Sequence, residues 1–111
     1  MPIITEQEAI HHSRDGVSAD YYQFPDIMGG TTVANATFTG PHGERTIGEH
    51  PRIYAITEGE GEVVINGQKT KITSGDVVVI PPYATYNLFP NHGSVRVVLF
   101  MELLDTSKLS K

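Results

Sequence analysis

Asn66-Gly67 stands between two runs of strand-forming residues, Glu62-Val63-Val64-Ile65 and Gln68-Lys69-Thr70-Lys71-Ile72, and commits this part of the chain to a β-hairpin. A two-residue Asn-Gly connection supplies the positive φ angles of a tight turn whose twist matches that of paired strands. The same punctuation recurs along the chain. Tyr21-Tyr22-Gln23-Phe24 stops at Pro25, and the β-branched stretch from Thr31 to Thr39 breaks at Gly40-Pro41. Ile53-Tyr54-Ala55-Ile56 leads to a turn at Glu58-Gly59, and Ser74-Gly75-Asp76 precedes Val77-Val78-Val79-Ile80 and the stop at Pro81-Pro82. Val95 to Met101 is the last long run. Short strands with turns roughly every eight to twelve residues predict a sandwich or barrel.

No internal repeat, low-complexity block or linker interrupts the 111 residues, a length that suits one domain with a single core. The expected organisation is one all-β domain over 1–111, with an N-terminal arm over 1–20, a barrel core over 21–102 and a frayed tail over 103–111. Thr5-x-x-Glu8 has capping-box spacing, which predicts either a short helix over 5–11 or an irregular arm. The start of the chain lacks a basic segment followed by an apolar run, and no stretch approaches the ~20 apolar residues of a membrane helix. A net charge of −5 with scattered Lys and Arg opposes nucleic-acid binding. With no cysteine, thiolate catalysis, disulfides and zinc–thiolate sites are excluded. A cytoplasmic protein with a small-molecule partner is expected.

The stretch from Gly40 to Asn91 resembles the cupin family, whose two motifs are G-x5-H-x-H-x3-E-x6-G and G-x5-P-x-G-x2-H-x3-N. Counting from Gly40 puts the closing glycine of the first motif on Gly59, and counting from Gly75 puts the proline of the second on Pro81. The fifteen residues between Gly59 and Gly75 hold the Asn66-Gly67 hairpin, where the family has its short intermotif turn. The resemblance implies a double-stranded β-helix, a jelly-roll barrel of two antiparallel sheets, and often a homodimer. Tyr21 to Phe24 is a candidate to extend a partner's sheet edge.

In the family, two histidines and a glutamate of the first motif and a histidine of the second bind a divalent metal. Those positions here are Thr46, Gly48, Arg52 and Tyr86, while Tyr83 and Pro90 replace the second motif's glycine and asparagine. Gly has no ligand atom and Arg is a fixed cation, so this set predicts no metal there and no cofactor. Alternation along the strands points Arg52, Tyr54 and Ile56 inward, with His50 on the same face if the strand begins early, and Tyr86 and Leu88 inward from the second motif. The candidate ligand-binding set is Arg52, Tyr54 and Tyr86, with Thr46 and His50 beside them.

A guanidinium in a half-dry barrel suits a carboxylate or phosphate, and phenols add stacking faces and hydrogen bonds. The favoured reading is therefore a metal-free pocket for a sugar, sugar phosphate or carboxylic acid. Three alternatives stand beside it. Arg52 can instead pair with an internal carboxylate such as Glu102 or Glu44, locking an inert barrel. A metal-free isomerase or epimerase would use His50 as base and Tyr86 as acid on a sugar or keto acid. A displaced metal site would gather His42, Glu44 and His50, with Glu49 and His92 nearby. His11 and His12 read as solvated arm residues.

Overall fold

The computed structural model describes residues 3–14 and 16–104. Ten strands run in chain order: β1 (Ile10–Arg14), β2 (Val17–Phe24), β3 (Thr31–Phe38), β4 (Arg45–Thr46), β5 (Arg52–Glu58), β6 (Glu60–Ile65), β7 (Gln68–Thr73), β8 (Val77–Ile80), β9 (Thr85–Pro90) and β10 (Val95–Met101). They form two sheets, a six-stranded one in the order β1-β2-β3-β10-β5-β8 and a four-stranded one in the order β4-β9-β6-β7. Every pairing is antiparallel. The strands expected from turn punctuation are all present, and the two sheets face each other as a jelly roll.

Alternation decides what lies between the sheets. One ladder row crosses all six strands of the larger sheet: Ile10, Tyr21, Ala34, Leu99, Tyr54 and Val78 stand opposite one another in turn. Residues directly opposite on antiparallel strands share a face, so this whole row points inward. The burial of Ala34, Tyr54 and Leu99 agrees. Above and below it, Phe38, Ile56, Val95 and Val97 complete that wall, and Val63, Tyr86 and Leu88 answer from the smaller sheet. Small alanines at 19, 34 and 36 leave room inside for the Tyr21 and Tyr54 rings.

The turns follow the residues that specify them. Asn66 and Gly67 both have positive φ, 50° and 83°, as a two-residue hairpin requires. Gly59 is more tightly constrained. Its φ is +95°, and a Cβ there would lie 2.2 Å from the Ser94 carbonyl oxygen at the start of β10.

The N-terminal segment differs from the expectation. The capping-box contact forms, with the Glu8 carboxylate accepting from the Thr5 N–H at 2.9 Å and the Thr5 hydroxyl at 3.0 Å. It closes only a single 3-10 turn at Glu6–Glu8. The chain then enters β1, because pairing with β2 satisfies more backbone groups than a short isolated helix would. The outward His11 reaches Asp20 across that pair, while the inward His12 lies opposite Ala19. β1 covers Val17 to Tyr21 of β2, whereas Tyr22 to Phe24 pair only with β3 and have no strand on their other side among the described residues.

Leu104, expected to fray, is tied down. Its N–H donates to Gln23 Oε1 at 2.8 Å and Thr32 Oγ1 at 2.9 Å, and its carbonyl accepts from Gln23 Nε2 at 3.2 Å. The rest of the expected tail, 105–111, lies outside the described residues. Among the described residues no helix is long and apolar enough to cross a membrane.

Replacing Gly59 with alanine should lower stability by about 2 kcal/mol or more, from a left-handed conformation combined with a backbone overlap. Urea denaturation will read this as a lower midpoint at unchanged slope. A wild-type midpoint would show that the Gly59 turn does not pack as described.

Candidate active site in the barrel lumen

Three strands and one connection bring the polar lumen together. Tyr54 projects from β5 and Tyr86 from β9, and their hydroxyls meet at 2.6 Å with the rings edge-on, centroids 5.8 Å apart. Both side chains are buried. Arg52, two residues before Tyr54 on the same inward face, donates from Nη1 to the Tyr86 hydroxyl at 3.4 Å. Its Nη2 lies 3.9 Å from Glu102 Oε2. Both contacts are long, and two buried atoms, Arg52 Nε and Glu102 Oε1, have no hydrogen-bond partner. A guanidinium normally uses its whole donor fork. This one is only partly engaged.

Counting from the glycines assigns no place to His42. Considered from the sequence only as part of a displaced metal set, it is buried against Phe38 and Tyr86, with ring centroids 5.4 and 5.2 Å away. The segment that carries it lies along β9. The His42 N–H donates to the Leu88 carbonyl at 2.9 Å, and the Gly43 N–H donates to Asn87 Oδ1 at 2.9 Å. His42 Nδ1 lies 2.8 Å from the Gly43 carbonyl oxygen. A carbonyl can only accept, so Nδ1 carries the proton and Nε2 presents a lone pair. Nε2 is 3.5 Å from the Tyr86 hydroxyl.

Burial pushes the His42 imidazole down to about 4; the bond to Gly43 opposes this, and the charges of Arg14, Arg45 and Arg52 add to it. At neutral pH it is therefore an uncharged base. Burial, then the neighbouring Tyr86, holds the Tyr54 hydroxyl well above the ordinary phenol range. Burial also raises Tyr21, partly offset by Arg14, Arg52 and Arg45. For Arg52, burial works against the charge, but Tyr86, Tyr54 and Glu102 outweigh it and keep its pKa above the usual guanidinium value.

Arg52, Tyr54, His42 and Tyr21, together with Arg14, Arg45 and others, line an open cavity of about 250 Å³, while Tyr86 is buried and not on its wall. His12, expected to be a solvated arm residue, lies on its wall. Two candidate binding residues lie elsewhere. Thr46 is exposed on β4 and shares a hydrogen bond with Thr85 at 2.8 Å. His50 precedes β5, is exposed, and faces a separate outer groove with Met28 and Phe100, because the strand begins only at Arg52. Of the two carboxylates suggested as partners for Arg52, Glu102 lies near it and Glu44 faces outward beside Lys69 and Phe89.

The donor set does not suit the divalent ion the resemblance implies. Positions 46 and 48 offer nothing to the lumen, position 52 holds a cation inside it, and among the described residues the cavity wall carries two imidazoles, His12 and His42, and no carboxylate. Among the described residues no three His, Asp or Glu side chains converge. The displaced set of His42, Glu44 and His50 is divided between the lumen and two outer grooves, Glu49 pairs with His50 at 3.4 Å, and His92 is exposed in the turn after β9.

Solved structures with this arrangement of strands include KdgF from a Halomonas species, 19% identical with a TM-score of 0.74 over 93% of this chain and 94% of that one. An RmlC-like cupin from Shewanella frigidimarina is 13% identical, with a TM-score of 0.73 over 95% and 93%. The chain is a cupin by fold. A third cupin-type neighbour is Pac13 of Streptomyces, a nucleoside dehydratase, 19% identical with a TM-score of 0.77 over 95% and 84%. It has also been solved with uridine in variants that replace a histidine by glutamine or a tyrosine by phenylalanine. No protein-family model and no curated protein matches the sequence of this chain.

The His42 environment sets a pH dependence. The folded chain holds His42 near 4 against about 6.5 when unfolded, so the unfolded state binds the extra proton between those values. Stability from this group is complete above about 6.5 and falls as the pH drops towards 4, by on the order of 3 kcal/mol. His42→Gln should flatten this part of the stability profile between pH 7 and 4.5. Equal acid sensitivity in both proteins would place the imidazole outside a dry site.

Proposed function

We propose that this protein binds a small polar ligand, a sugar, sugar phosphate or carboxylic acid, in the barrel lumen without a metal ion. The observation that carries this reading is the under-engaged guanidinium of Arg52. Its contacts at 3.4 and 3.9 Å are long, its Nε has no partner, and it faces an open cavity of about 250 Å³. An inert barrel would close such a group into a tight ion pair, since buried donors without partners cost about 1–3 kcal/mol each. A ligand oxygen supplies what is missing. Tyr21 and Tyr54 on the cavity wall add hydroxyls that can donate and accept, and aromatic surface for a planar or sugar portion. The cavity is smaller than the about 300–1,000 Å³ of drug-sized sites, which favours a ligand of monosaccharide size.

A second reading rests on His42. An uncharged imidazole with its Nε2 lone pair facing the Tyr86 hydroxyl has the parts of a proton-transfer site. His42 would take a proton from a carbon or hydroxyl of the ligand, Tyr54 backed by Tyr86 would return one, and Arg52 would stabilise the developing oxyanion. Isomerisation or elimination on a sugar or keto acid fits that set. His42 takes the part first considered for His50. The nucleoside dehydratase among the structural neighbours, studied in histidine and tyrosine variants, supports placing such chemistry in this kind of lumen.

Thermal denaturation against a panel of sugars, sugar phosphates and small carboxylic acids tests the binding reading. A true ligand at 100 times its dissociation constant should add about 2.7 kcal/mol. Arg52→Ala should remove that gain, and a gain that survives the substitution would refute the proposed site. For the catalytic reading, solvent deuterium should enter the bound ligand with wild-type protein and fail to enter with His42→Gln while binding persists. The rate should hold from neutral pH down to about 5 and fall as the base protonates near 4. A rate that instead falls through pH 6 to 7 would point to a different base.

A further inference from the structure

We infer that the ligand is a phosphate monoester, its dianion held among Arg14, Arg45 and Arg52 at the mouth of the lumen and its organic portion lying against Tyr21 and Tyr54. The inference deepens the binding reading and rests on it. The chain carries four arginines, and three of them line this one cavity. They come from separate elements. Arg14 ends β1 in the same inward phase as His12, Arg45 stands on β4 directly opposite the inward Tyr86, and Arg52 opens β5. Three independently placed backbones thus deliver guanidinium groups to one opening, in a protein whose net charge is −5.

Like charges gathered around a partly dry cavity repel one another, and the field of all three is felt inside. Each of them disfavours the protonated form of His42 and favours the ionised form of Tyr21. The local charge identifies the guest. Three guanidiniums against the one carboxylate of Glu102, with His42 uncharged, leave an excess of two positive charges. A phosphate monoester carries about −1.5 to −2 at neutral pH and offers three oxygens to planar donor forks. A carboxylate would leave about half of that excess unmatched. A neutral sugar would leave all of it.

Titration calorimetry with ribose 5-phosphate, ribonate and ribose, at pH 7.5 and 5, tests this on the wild-type protein, on Arg52→Gln and on the double variant Arg14→Gln/Arg45→Gln. Arg14 is half-buried and Arg45 exposed, so the double variant should keep its fold, which its melting temperature will show. The expected result is that the wild type binds ribose 5-phosphate at least tenfold more tightly than ribonate or ribose. That preference should shrink at pH 5, where the phosphate loses its second charge, and should vanish in the double variant. Equal affinity for the three compounds, or a preference untouched by losing Arg14 and Arg45, would overturn the phosphate assignment. If binding still depended on Arg52, the lumen reading would stand. Failure of all three compounds to bind the wild type would overturn the phosphate assignment directly, and a parallel gain with nucleosides or keto acids that Arg52→Gln abolishes would show that the lumen itself still binds.

Discussion

A guanidinium cannot shed its proton in a protein, so a barrel that turns one inward must provide for a permanent charge. The Arg52 site is organised around that constraint. Tyr86 accepts from Arg52, Tyr54 is hydrogen-bonded to Tyr86, and Glu102 comes from the neighbouring end of β10. None of these contacts is close enough to saturate the cation. The arrangement keeps the charge stable while leaving donors available on the side of the cavity.

The tyrosines and His42 extend that arrangement into a directional network. The Gly43 carbonyl fixes the proton on Nδ1, which leaves Nε2 to face the Tyr86 hydroxyl, and Tyr86 in turn meets Tyr54. Burial above all, with the charges of Arg14, Arg45 and Arg52 adding to it, keeps the imidazole uncharged, so it remains buried without a counter-ion. The electrostatics are mutually consistent. The positive charges at the mouth act in the same direction as burial and further disfavour the protonated form of the interior histidine.

Much of this was readable from spacing. Turn residues such as Asn66-Gly67 and Gly59 fix strand ends, strand ends fix alternation, and alternation places Arg52, Tyr54 and Tyr86 on the inner face. The same logic failed at His50, because it depended on where β5 begins, and strand ends are set by tertiary pairing as much as by sequence. His42 could not be counted at all. It belongs to an irregular connection, held to β9 by backbone contacts and by the Asn87 side chain, and no periodicity governs a connection. Arg14 and Arg45 were hidden for a related reason. β1 sits in a stretch that carries a capping signal, and β4 is only two residues long.

The strap from Pro41 to Glu44 has a consequence for how such a protein can diversify. The sheets fix the cation and the phenols, while the imidazole hangs from a connection anchored by a few polar bonds to β9. Lengthening or rewriting that connection would swap the basic group for another, or delete it, and leave both sheets intact. The scaffold and this imidazole are therefore free to change at different rates, and the same barrel can keep its sheets while the side chains offered to its lumen are rewritten.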